Sequence, residues 1–161
     1  MPEITVVAPG GGEVIGDAAD RRVEILCDHD SLHATWSRFA PGREGADLHV
    51  HHEHTDLFYV LEGEFTLRLG PEGEEVRMPA GTVARMPPMV VHGFRNSSDA
   101  ELRFLNFHAP GAGFASYMRD RGPISGVLRS SWILIAGSSG HSPITASAGS
   151  RPPSSGGSCW S

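Results

Sequence analysis

The chain has 161 residues, about one domain's worth, and is long enough to bury a core without disulfide staples. Thirteen basic residues against 19 acidic ones leave a net charge of −6, which argues against nucleic acid as a main partner and, more weakly, against an anionic membrane surface. The two cysteines, Cys27 and Cys159, lie far apart with no Cys-x-x-Cys, so neither a disulfide framework nor a cysteine zinc site is expected.

In chain order, residues 1–20 read as an N-terminal arm with a short strand at 4–7. No basic segment followed by an apolar one marks a signal peptide there. Gly10-Gly11-Gly12 is no phosphate loop, because no strand–GxxxxGK–helix pattern surrounds it. Residues 21–110 read as one all-β domain. Short runs rich in Val, Leu, Phe, Tyr and Thr are punctuated by Gly, Pro, Asp and Asn. Strands are expected near 23–27, 32–39, 47–51, 57–62, 64–69, 74–78, 82–86, 91–95 and 102–108. The run EFTLRL alternates cleanly: Phe65, Leu67 and Leu69 share one face, Thr66 and Arg68 the other. Glu62-Gly63 and Pro71-Glu72-Gly73 mark turns. Cys27 ends an apolar run and reads as a buried free thiol. Many short antiparallel strands at roughly ten-residue spacing point to a sandwich or barrel.

A short helix is expected over 111–122, where Phe114, Tyr117 and Met118 fall at i, i+3 and i+4 and form one apolar stripe. The composition then changes. All 19 acidic residues lie at or before Asp120, and 19 of the 35 residues from Val127 to Ser161 are Ser, Gly or Pro. Such a stretch buries too little apolar surface to offset its ordering entropy, so 123–161 reads as a disordered or non-native tail. The strongest apolar run, Trp132 to Ala136, is too short to span a bilayer. A cytoplasmic protein that does not associate with membranes is expected.

Nine histidines are present, and His49, His51, His52 and His54 fall within six residues. Histidine is the commonest side-chain metal ligand. On a strand, residues i and i+2 face the same way, so His49 and His51 can reach one point. Asp56 begins the next strand and offers a hard oxygen. Two imidazoles and a carboxylate make a ligand set that leaves open positions on an iron-type metal. His92, after the Pro87-Pro88 turn, can supply a fourth ligand from the opposite side. His52 and His54 read as loop residues, with His54 a possible competitor of Asp56, and His29 and His33 as plain strand residues. His108 alternates with Leu102, Phe104 and Asn106 and is a possible pocket residue. Asn96 reads as a hydrogen-bonding turn residue. The pocket lining is expected to include Phe58, Val60, Phe94 and Phe104 as well.

These segments resemble the two signature motifs of the cupin superfamily. The first reads His49-x-His51, four residues, Asp56, six residues, Gly63; the second reads Gly81, five residues, Pro87-x-Met89, two residues, His92, three residues, Asn96. Asp56 stands where the family usually has Glu, and Met89 where it usually has Gly. The resemblance covers roughly residues 35–110. It implies a single small antiparallel β-barrel (a double-stranded β-helix, or jelly roll) with one divalent transition metal, Fe, Mn, Ni, Cu or Zn. It also implies a homodimer. The wording of the first motif is similar to quercetinase-like single-domain cupins. A mononuclear metal-dependent dioxygenase acting on a small apolar or aromatic substrate is therefore the leading expectation. A non-redox isomerase or lyase, or a non-enzymatic small-molecule-binding cupin, is the alternative. No catalytic residue is singled out.

Overall fold

The computed structural model describes residues 4–111 and 113–120. The element order is β1 (Glu13–Ala18), β2 (Arg21–His29), β3 (Leu32–Phe39), β4 (Thr55–Glu62), β5 (Glu64–Leu69), β6 (Glu74–Pro79), β7 (Val83–Met86), β8 (His92–Arg95), β9 (Leu102–Ala109) and α1 (Phe114–Asp120). The strands form a six-stranded sheet, β1-β2-β3-β9-β4-β7, and a three-stranded sheet, β6-β5-β8. Every ladder in them is antiparallel. This is the expected all-β jelly-roll architecture with a short C-terminal helix. The barrel is not a closed ring, however: the two sheets remain separate ladders.

Two expected strands need correction. Residues 4–7 form none; the first strand is β1, whose sequence EVIGDA lies at the sheet's edge with four of its six residues exposed. An edge strand buries little, so its composition carries little strand signal. Residues 47–51 form no strand either. They cross the mouth of the fold and are held by one bridge, in which His49 and His92 exchange backbone hydrogen bonds of 2.8 and 2.9 Å. Cys27 is half-buried rather than buried, with its Sγ 3.5 Å from the Leu32 carbonyl. Cys159 and the whole tail from 123 lie outside the described residues.

The period-2 patterns decide the interior. Phe58, Val60, Leu102 and Phe104 from the large sheet meet Phe65, Leu67 and Met78 from the small one. Phe65 stacks on Phe94 at 5.2 Å and meets Phe104 edge-on at 5.0 Å. Each fully buried side chain of this size stabilises the fold by about 1.5–3 kcal/mol. The β4–β5 reversal needs Gly63: its φ is +79°, and a Cβ there would collide with the Glu101 carbonyl. Asn96 is 1% exposed and ties the β8–β9 loop to the end of β3. Its Nδ2 donates to the Ala40 and Ala100 carbonyls at 2.9 and 2.8 Å, and its Oδ1 accepts from Ser98. That is the hydrogen-bonding role its position suggested.

The inner face of the large sheet is graded. Along β3 it reads His33, Thr35, Ser37, Phe39; across the ladder on β9 it reads His108, Asn106, Phe104, Leu102. On β4 it continues as Asp56, Phe58, Val60. One end is therefore imidazole and carboxylate, and the other is apolar. Helix α1 lies against the core through Phe114, Tyr117 and Met118, the expected stripe. Arg119 pins it, bonding Glu13 at 2.7–2.8 Å and Asp28 at 2.7 Å.

Candidate metal centre

Asp56 sits at the start of β4, directly opposite Met86 on one side and His108 on the other. It is 2% exposed. Its Oδ2 lies 3.1 Å from His92 Nε2 and 3.3 Å from His51 Nε2, and His51 Nε2 is 3.0 Å from His49 Nε2. The bridge between His49 and His92 brings the two motifs face to face. The four predicted ligands, His49, His51, Asp56 and His92, thus converge, their donor atoms all within 4.8 Å of one another.

The donor chemistry fits a metal ion. The Nδ1–H of His49 donates to the Asp47 carbonyl at 2.7 Å, and that of His92 to the Val90 carbonyl at 2.9 Å. A carbonyl only accepts, so each Nδ1 carries the proton and each Nε2 turns a bare lone pair inward. Two donors each about 2.1 Å from one ion stand about 3.0 Å apart at a right angle and about 3.4 Å apart at the tetrahedral angle. The observed 3.0, 3.1 and 3.3 Å fall in that range. Aspartate in place of the usual glutamate therefore still reaches the cluster: β4 places its carboxylate against the imidazoles.

The electrostatics agree. Burial alone would raise the Asp56 carboxyl, but the close polar contacts of the His108, His51 and His92 side chains outweigh it and hold the group well below the usual carboxylate range. Burial, reinforced by neighbouring His92, lowers His49 to about 4. Burial likewise lowers His54 to about 4, helped by His51 and His108. At neutral pH the carboxylate is charged and these imidazoles are neutral, the forms in which they bind metals.

Two residues taken from the sequence as bystanders or minor candidates belong to the cluster. His54 is 9% exposed, not a solvated loop residue, and its Nε2 lies 3.5 Å from Asp56 Oδ1. His108 is 1% exposed, with its Nε2 2.9 Å from the same oxygen. A second donor set, His51, His54, Asp56 and His108, overlaps the first. Asp56 turns one oxygen to each set. His33, read as a plain strand residue, is buried beside His108, its Nδ1 3.2 Å from His108 Nδ1. The i, i+2 rule that linked His49 to His51 also links His54 to Asp56. The partnership of His33 with His108 depends on cross-strand register and has no local signal.

A cavity of about 300 Å³ runs from this cluster along the inner face of the large sheet. Phe94, Phe104 and His108 line it as expected. Phe58 and Val60 do not: both are 0% exposed and packed behind the wall, in contact with the small sheet's side of the core. Met89 is 64% exposed and outside the cavity wall, so its thioether plays no part in the pocket. Phe114 of α1 stacks on His108 at 3.7 Å and closes the cluster's outer side.

Residues 35–108 match the family described as Cupin domain, and the fold and the site above agree with that match. Quercetin 2,3-dioxygenase of Bacillus subtilis (strain 168) is 28% identical to it over 98 residues, 61% of this chain. The matched part is 28% of that protein, so the chain spans under a third of the relative's length. An RmlC-like cupin from Shewanella frigidimarina superposes with a TM-score of 0.53 at 26% identity, covering 63% of this chain and 86% of that one. KdgF from Halomonas sp. shares the fold, with a TM-score of 0.56 at 21% identity over 68% of this chain and 94% of its own. Among the described residues no helix is long and apolar enough to cross a membrane.

Proposed function

We propose that this cupin domain is a mononuclear metal-dependent dioxygenase acting on a small apolar or aromatic organic substrate. The observation that carries the reading is the convergence of three imidazole Nε2 atoms and one carboxylate at the end of a largely apolar cavity. The likeness to a quercetin 2,3-dioxygenase supports the same direction. Three imidazoles and a carboxylate suit iron, manganese, nickel, copper or zinc. When bound, a redox-active divalent ion supplies Lewis-acid and electron-transfer chemistry that protein side chains lack.

The protein's own contribution is to hold, orient and exclude. His49, His51, His92 and Asp56 hold the ion. His54 and His108 face the other oxygen of Asp56 and keep the carboxylate turned toward the cluster. Phe39, Phe94 and Phe104 give the substrate an apolar bed. Phe114, stacked on His108, keeps water from that side of the site. Oxygen uptake by the metal-loaded protein with flavonol-like and catechol-like substrates tests the proposal. Uptake that disappears in the His49→Ala/His51→Ala variant supports it. A zinc-loaded protein with no oxygen uptake would favour the isomerase, lyase or binding reading.

A further inference from the structure

The cavity's far end holds a cation that makes no ion pair among the described residues. Arg21 opens β2, pairs in register with Phe39, and lines the same cavity as the histidines. It is 7% exposed. Among the described residues it forms no ion pair, and its fully buried Nε has no hydrogen-bond partner. The nearest acidic neighbour in sequence, Asp20, acts on Arg21 from a distance but is bonded to Arg43 at 3.2 Å. Its guanidinium lies over the ring of Phe39, 5.6 Å from the Cζ to the ring centre. A guanidinium taken out of water without a counter-charge is costly unless something else brings the charge.

The surroundings complete a binding wall. Thr35 and Ser37 sit on the same inner face, 3% and 4% exposed, and both line the cavity. Ser37 lies one inward position from Phe39 along β3, and Phe39, Phe94 and Phe104 line the same cavity. Phe39 lies six residues along β3 from His33, about 20 Å of strand before either end's side chains reach inward.

We propose that Arg21 is the anchor for an anionic group, most simply a carboxylate, on an elongated apolar substrate whose other end faces the metal cluster. This assigns the substrate class of the site described above and rests on that reading of the cavity. A guanidinium offers a carboxylate a two-pronged hydrogen bond. Phe39 holds the guanidinium plane from behind. The hydroxyl of Ser37 gives the head group a further donor, and the phenylalanines take the apolar body. Burial, with a contribution from neighbouring Arg43, lowers Arg21 only to about 10, so it remains cationic at neutral pH.

The test is calorimetric titration of the full chain, as purified, with 6-phenylhexanoate and with its uncharged amide, alongside Arg21→Met and Arg21→Lys. Metal content and unfolding temperature are measured on the same samples. The wild type is expected to bind the acid at least about tenfold more tightly than the amide. Arg21→Met, which keeps an apolar side chain on Phe39, is expected to lose that preference with its metal content unchanged; Arg21→Lys keeps part of it. Equal binding of acid and amide by the wild type, or no binding of either, overturns the inference. So does a preference that survives in folded Arg21→Met, since the carboxylate would then sit on the metal. The two readings fail separately. An Arg21-dependent preference in a protein that holds no metal sinks the oxygenase reading and leaves the anion site standing; a metal-loaded oxygenase indifferent to Arg21 does the reverse.

Discussion

Met89 is a non-glycine residue in the left-handed region of backbone space. It stands where the second cupin motif usually has glycine, and it keeps the glycine-like geometry at φ +70°. A side chain in the left-handed region costs about 1–2 kcal/mol. Since Met89 is mostly exposed, replacing it loses little packing. Met89→Gly is therefore expected to stabilise the protein by about 1 kcal/mol, after glycine's own entropy cost, with metal binding unchanged. Denaturant unfolding checks this, and a destabilised variant would show that the turn is not strained. At this scale the sequence was informative wherever a spacing rule applies. His49 and His51 are linked by the two-residue period, and Asp56 and His92 by motif spacing. His54 obeys the same period with Asp56, but its place between the strand and the crossing loop hid its burial. Arg21 carried no signal, because nothing in the run RRVEIL tells which arginine faces inward until β2 is paired with β3.

Among the elements, those with strong alternation were legible and those at edges were not. EFTLRL gives β5 within a residue, because its Phe and Leu residues face the core on every second position. β1 escaped notice because an edge strand with Gly16 and Asp17 reads as loop. The crossing segment at 47–51 alternates like a strand, yet one bridge to His92 is its only ladder contact. Helix α1 was legible from its stripe, but its anchor was not: Arg119 reaches Glu13 and Asp28 on two different strands. α1 is seven residues long, too short to hold itself without tertiary contacts. Arg119→Ala is expected to speed amide hydrogen exchange across Phe114–Asp120 while leaving β3, β4 and β9 protected. Unchanged exchange in the helix would mean that Phe114 and Met118 suffice to dock it.

For the whole molecule, the buried imidazoles make stability depend on pH in one direction. His33, His49 and His54 are lowered to about 4 from an ordinary value near 6.5, mainly by burial. Between those values the unfolded chain binds more protons than the folded one, so stability rises with pH there. It is complete above about pH 6.5 and is lost as pH falls toward 4. Asp56, held well below 3.8, acts in the same sense at still lower pH. The metal-free protein is expected to unfold at a temperature lower by about 4 °C or more near pH 5 than near pH 7.5. A flat profile would mean that these histidines are solvated rather than buried. The same arrangement explains the site: strands that bring a two-histidine segment, a carboxylate and a distant histidine to one end of an apolar interior place neutral ligands beside one charge. That convergence is the central claim. Elemental analysis by mass spectrometry of the full chain, purified without added metal or chelator, tests it most directly when run beside His49→Ala/His51→Ala. About one transition-metal ion per chain, lost in the variant, is the predicted result. Wild-type protein that holds no metal even after reconstitution, or a variant that keeps its metal, would contradict the account.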